Sequence, residues 1–128
     1  MIYLTPEQVL FIHSRLVTET GGSHGVRDLG LLESAVARPC ATFDGKELYP
    51  DLFIKTAALM DSLINNLFFL DGNKRTVLSA AGLFLLLNGR KLTASPQDLE
   101  TITLRVASEG VEITALASWL RKNTVGKD

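Results

Sequence analysis

The segment Asp71-Gly72-Asn73-Lys74-Arg75-Thr76 sets an acid, a glycine, an amide and two adjacent cations between two apolar runs. Gly72 reaches a positive φ at little cost. Asn73 tolerates the left-handed region or can cap a helix. A helix starting near Asn73 or Lys74 would present unpaired amides at the positive end of its dipole, which is an anion site. Lys74 and Arg75 add full charges, and Arg75 can grip a phosphate through two donors. Asp71 offers the oxygen that Mg²⁺ prefers when it bridges to phosphates. Together these residues point to a nucleotide or another phosphorylated ligand. They also fit an ordinary interhelix turn with solvated cations, and spacing alone leaves both readings open.

The flanking chain reads as helices that would hold this turn. Thr5-Pro6-Glu7-Gln8 predicts an N-cap, a proline at N1 and a capping-box Gln. Val9, Ile12, His13, Leu16 and Val17 then share a face as far as Gly21-Gly22, with His13 a core histidine. His24 falls in the loop that follows and is expected to be exposed. Asp28 predicts the cap of a second helix with Leu29, Leu32, Ala35 and Val36 inward, stopped at Arg38-Pro39. Residues 40–48 carry the Asp44-Gly45 signal of a small hairpin, against the plain alternative of a loop. After Tyr49-Pro50-Asp51, the residues Phe53, Ala57, Met60, Ile64 and Leu67 mark one helix face, widened by Leu52, Leu59 and Leu63. Val77 to Leu87 is apolar nearly all round, as for a central helix, and Asn88-Gly89 ends it. Ser95-Pro96-Gln97-Asp98 predicts a further capped start, for a helix reaching about Glu109-Gly110. Ile113, Leu116, Ala117 and Leu120 mark the last helix, ending at Arg121-Lys122. Trp119 lies off that stripe and is expected to be partly buried. The expected fold is all-α: a bundle of about six helices around a central apolar helix, with a small β flap near residues 40–48.

Composition narrows the function classes. The chain of 128 residues has 46% hydrophobic residues and a mean hydropathy of +0.19. That suits a single domain, residues 1–128, with a filled core rather than disorder. The net charge of −1 gives no basic field for direct nucleic-acid binding. Cys40 is the only cysteine, which excludes an internal disulfide and suits a reducing cytoplasm. The first residues lack the basic and apolar regions of a signal peptide. The longest apolar run, Val77 to Leu87, is too short to span a bilayer.

The ordered set Phe69, Asp71, Gly72, Asn73, Lys74 and Arg75 resembles the core motif of the Fic/Doc superfamily, His-x-Phe-x-(Asp/Glu)-(Gly/Ala)-Asn-(Gly/Lys)-Arg. The Asn-Lys-Arg ending and the short chain are closer to the death-on-curing (Doc) toxins than to the larger Fic adenylyltransferases. Leu4-Thr5-Pro6-Glu7-Gln8 and the stretch from Gly21-Gly22 to Arg38-Pro39 carry the resemblance to the N-terminal part. It implies a toxin of a toxin–antitoxin pair that transfers a phosphoryl group from ATP or another NTP to a hydroxyl of a target protein, for Doc types elongation factor Tu. It further implies Mg²⁺ on Asp71, phosphates on Gly72, Asn73, Lys74 and Arg75, a flap that holds the target by strand-like pairing, and a Phd-type antitoxin as partner. The sequence departs from the motif at one place: Leu67 stands at the position of the family His. Leucine can neither accept nor donate a proton, so the chain as written is expected to be nearly inactive. Leu67 also continues the apolar stripe of its helix, so a packing role fits it as well. Two alternatives follow: a non-catalytic nucleotide- and partner-binding module of the same fold, or a Fic-type AMP transferase. Leu78, where the larger Fic enzymes carry a further Arg, weighs against the second.

Overall fold

The computed structural model describes residues 1–20, 28–66 and 73–126. Among the described residues the chain forms six α-helices and two small antiparallel pairs of strands. Helix α1 (Pro6–Thr20) and helix α2 (Leu29–Ala37) come first, followed by a 3₁₀ turn at Arg38–Cys40. Strands β1 (Thr42–Phe43) and β2 (Lys46–Glu47) pair with Thr42 opposite Glu47 and Phe43 opposite Lys46. Helices α3 (Leu52–Asn66) and α4 (Asn73–Leu87) follow, then β3 (Arg90–Leu92), α5 (Pro96–Ser108), α6 (Ile113–Lys122) and β4 (Thr124–Gly126).

Local chemistry fixes the element starts. Thr5 and Gln8 form a reciprocal capping box: Thr5 N donates to Gln8 Oε1 at 2.8 Å, and Gln8 N to Thr5 Oγ1 at 3.2 Å. Asp28 caps α2 through Leu31 N at 3.1 Å, and Ser95 caps α5 through Asp98 N at 3.1 Å. The hairpin turn is made by Asp44 and Gly45, both left-handed at φ 54° and 77°, the pairing that a tight two-residue turn requires.

The core is shared by the two long helices beside the motif. Helix α3 packs against α2, α4, α5, α6 and the 3₁₀ turn, and α4 packs against α1, α3, α5 and β3. Ala57, Leu59, Met60, Leu63 and Ile64 of α3 are buried, as are Val77, Ala80, Ala81, Phe84 and Leu85 of α4. Val9, His13 and Val17 of α1 are buried as expected. Leu29, read as inward, is 50% exposed. It is the first residue of its helix, and periodicity gives a direction without telling how far the neighbouring helix extends. Leu86 also faces solvent, so α4 is not covered all round. Trp119 is half-buried. No helix among the described residues is long and apolar enough to cross a membrane.

The pair β3–β4 was not expected from sequence. Thr124 and Leu92 lie opposite each other, Lys91 faces Val125, and Arg90 faces Gly126. Arg90 donates to Thr124 O at 3.0 Å, which satisfies an edge carbonyl from the neighbouring strand.

Candidate functional site

Helices α3 and α4 pack against each other, and only residues 67–72 separate them in the chain. The motif therefore joins the end of one buried helix to the start of another, and a buried helix is a stable mount for a site. Leu67, Asp71 and Gly72 lie outside the described residues, as do Phe68, Phe69, Leu70, Gly21-Gly22 and His24. The helical backbone of α4 begins at Asn73, as the sequence predicts.

The first turn of α4 runs against the usual charge preference. It holds no acid, whereas α1 has Glu7 and α5 has Asp98 in the same place. Lys74 and Arg75 stand there instead, both exposed. Cations at a helix N-terminus oppose the dipole, typically by about 0.3–1 kcal/mol each. Neither side chain enters an ion pair or side-chain hydrogen bond among the described residues, so nothing within the described fold offsets that cost. An anionic group beside this turn would. Thr76 comes next, only 1% exposed, and its Oγ1 has no hydrogen-bond partner among the described residues. An unpartnered buried hydroxyl costs about 1–3 kcal/mol. Two cations and a buried hydroxyl in successive positions, none of them partnered among the described residues, fit a turn that takes an external polar ligand. Phosphate oxygens suit these donors, and a carboxylate such as Asp71 suits a hard divalent cation.

Similarity to known proteins covers the same residues. A model of the Fic/DOC family matches residues 3–85. The chain is 42% identical over 120 residues to Toxin Doc of Mycolicibacterium smegmatis, spanning 92% of this chain and 90% of that protein. It is 31% identical over 122 residues to Protein kinase doc of Escherichia phage P1, spanning 95% of each. The chain belongs to the Fic/Doc family.

In this Fic/Doc chain the described residues also show polar contacts that sequence reading missed. Lys55, on α3, has its side chain only 2% exposed. Its Nζ donates to Glu47 Oε1 on β2 at 2.9 Å and to Pro39 O at 3.0 Å. The ammonium also lies over the Tyr3 ring, 5.6 Å from its centroid. Burial acts to lower the pKa of Lys55, but the contacts with Glu47 and Tyr3 outweigh it and leave the pKa raised. Arg38 was read only as a helix stop. Its Nε donates to Tyr49 Oη at 2.9 Å, and one terminal nitrogen donates to Asp61 Oδ2 and Ser62 Oγ, each at 2.8 Å. Burial acts to lower the Arg38 pKa, and the bonds to Asp61 and Tyr49 again leave it raised. The signal for Lys55 was available: it is a single charge in the otherwise apolar start of α3, Leu52-Phe53-Ile54-Lys55. Arg38 had no such signal, because its partners come from Tyr49 and the far end of α3.

Proposed function

We propose that this chain is a Doc-like toxin built to transfer a phosphoryl group from ATP or another NTP to a hydroxyl of a translation factor of the elongation factor Tu type, and that Leu67 disarms it. The observation that carries this reading is the start of α4. Lys74 and Arg75 stand exposed at a helix N-terminus, with no ion pair among the described residues, in a chain that aligns nearly end to end with two Doc proteins. Lys74, Arg75 and the amides near Gly72 and Asn73 would bind the phosphates. A Mg²⁺ ion held by Asp71 would neutralise charge on the phosphate oxygens. The hairpin, with Phe43 exposed at its tip, would present strand edges to a segment of the target. For transfer, the target hydroxyl oxygen must bond to phosphorus as the nucleoside diphosphate leaves, and its proton must pass to a base. The motif places that base at position 67, and leucine cannot serve. Loss of a general base costs about 10²–10⁴ in rate. The relatives support a toxin with an antitoxin partner, and a Phd-type protein is the partner proposed.

Leu67 favours a second reading, a non-catalytic module that binds nucleotide and an antitoxin without turnover. Titration calorimetry with ATP and Mg²⁺ tests the site that both readings share. Binding should be measurable in the chain as it stands and lost in Arg75→Ala. No detectable heat, or equal heat in both proteins, overturns the assignment.

A further inference from the structure

The hairpin is too small to hold its own position. Its strands are two residues each, with all four residues exposed, and an isolated hairpin is marginal in water. Its placement depends on side chains at its root. Lys55 holds β2 through Glu47, near the start of α3. Arg38 reaches the other end of that helix. The Arg38 guanidinium holds Tyr49, just past the hairpin, by a 2.9 Å bond to Oη and by stacking 5.4 Å from the ring centroid. It also binds Asp61 and Ser62, and Asp61 Oδ1 accepts from Asn65 Nδ2 at 2.9 Å. The polar chain thus runs from the hairpin root to the last turn of α3, where the chain enters the motif. A planar guanidinium with fixed donor directions holds Tyr49 and Asp61 in one geometry, which a flexible ammonium does not.

We propose that Arg38 is a positioning residue: with one guanidinium it fixes the hairpin root against the last turns of α3, and so sets where a protein substrate on the hairpin is held relative to α3 and the start of α4. The proposal rests on the phosphoryl-transfer reading above, and its test separates the two.

The first arm needs no activity. In the chain as it stands, amide exchange is followed for residues 41–48 and for residues 61–66, in Arg38→Lys and in Tyr49→Phe. Tyr49→Phe keeps the ring and removes only the acceptor. Coupling through Arg38 predicts that both segments exchange faster in Arg38→Lys, by about fivefold, the factor one lost hydrogen bond is worth. Tyr49→Phe should speed mainly the hairpin. Faster exchange confined to one segment in Arg38→Lys overturns the coupling.

The second arm uses the Leu67→His background, labelled ATP and purified elongation factor Tu. Tyr49→Phe should raise KM for the protein substrate about fivefold or more, with KM for ATP unchanged. A merely structural role would lower the thermal midpoint and the amount of active protein, with both KM values unchanged. That result, or an equal rise in both KM values, refutes the positioning role. If Leu67→His transfers no phosphate to the factor, the functional reading fails, and the exchange arm alone decides for or against the coupling.

Discussion

Replacing Lys55 by Met keeps the apolar stem and removes the ammonium. Three consequences follow from the structure. The bonds to Glu47 Oε1 and Pro39 O, at 2.9 and 3.0 Å, are lost. Pro39 is buried, so its carbonyl loses the donor that replaced water. Glu47 has a side chain 51% exposed and can return to solvent, so little charge is stranded. Charge-assisted bonds contribute roughly 1.5–3 kcal/mol each, and an orphaned carbonyl costs about 1–3 kcal/mol. Relief of the desolvated ammonium works the other way. The net loss should be about 2–3 kcal/mol, a fall in thermal midpoint of roughly 8–12 °C for a chain of this size. The assay is urea unfolding with thermal melts as a check, alongside the Glu47→Gln variant, which should lose less because it retains an acceptor. A Lys55→Met protein within about 0.5 kcal/mol of the parent would refute the reasoning, since that is the range of an ordinary surface change.

Thr76→Val removes the orphaned hydroxyl at nearly constant volume. Without ligand it should raise stability by about 1 kcal/mol, read by urea unfolding, whereas a loss would show that the hydroxyl has a partner in solution. Alkaline pH probes Lys55 in another way. Its pKa is raised above the ordinary 10.5 in the folded state. Its stabilisation is therefore complete below about pH 10.5 and is lost as pH rises through the folded value. The stability difference between parent and Lys55→Met should hold from neutral pH to about 10 and shrink above it, as followed by urea unfolding at each pH. An Arg75→Glu variant should gain stability, by about 0.5–1 kcal/mol, because it replaces a cation with an anion at the α4 N-terminus. The same variant should lose ATP binding by calorimetry.

Much of the fold was legible because its signals are local. The capping box of Thr5 and Gln8, the caps at Asp28 and Ser95, and the Asp44-Gly45 turn each lie within a few residues and appear as read. The buried stripe of α3 was legible because a long helix repeats its pattern several times. Strands β3 and β4 were not, because three residues give no alternation to detect and their partner lies more than thirty residues away. The helix start at Asn73 was legible too, with Lys74 and Arg75 in its first turn. The polar root of the hairpin was not, because Arg38 meets Asp61 across 23 residues and no local pattern encodes that pairing. Leu29 shows the limit of periodicity: it is in phase with its helix face yet half exposed, at the helix end.

We propose above that this chain keeps a phosphoryl-transfer site and lacks only its base. The direct measurement is phosphate transfer from labelled ATP to elongation factor Tu by Leu67→His, beside the parent and Leu67→His/Arg75→Ala. Leu67→His alone should give transfer and growth arrest, at a rate about 10²–10⁴ above the parent. A folded Leu67→His protein that binds ATP but neither labels the factor nor arrests growth would contradict it.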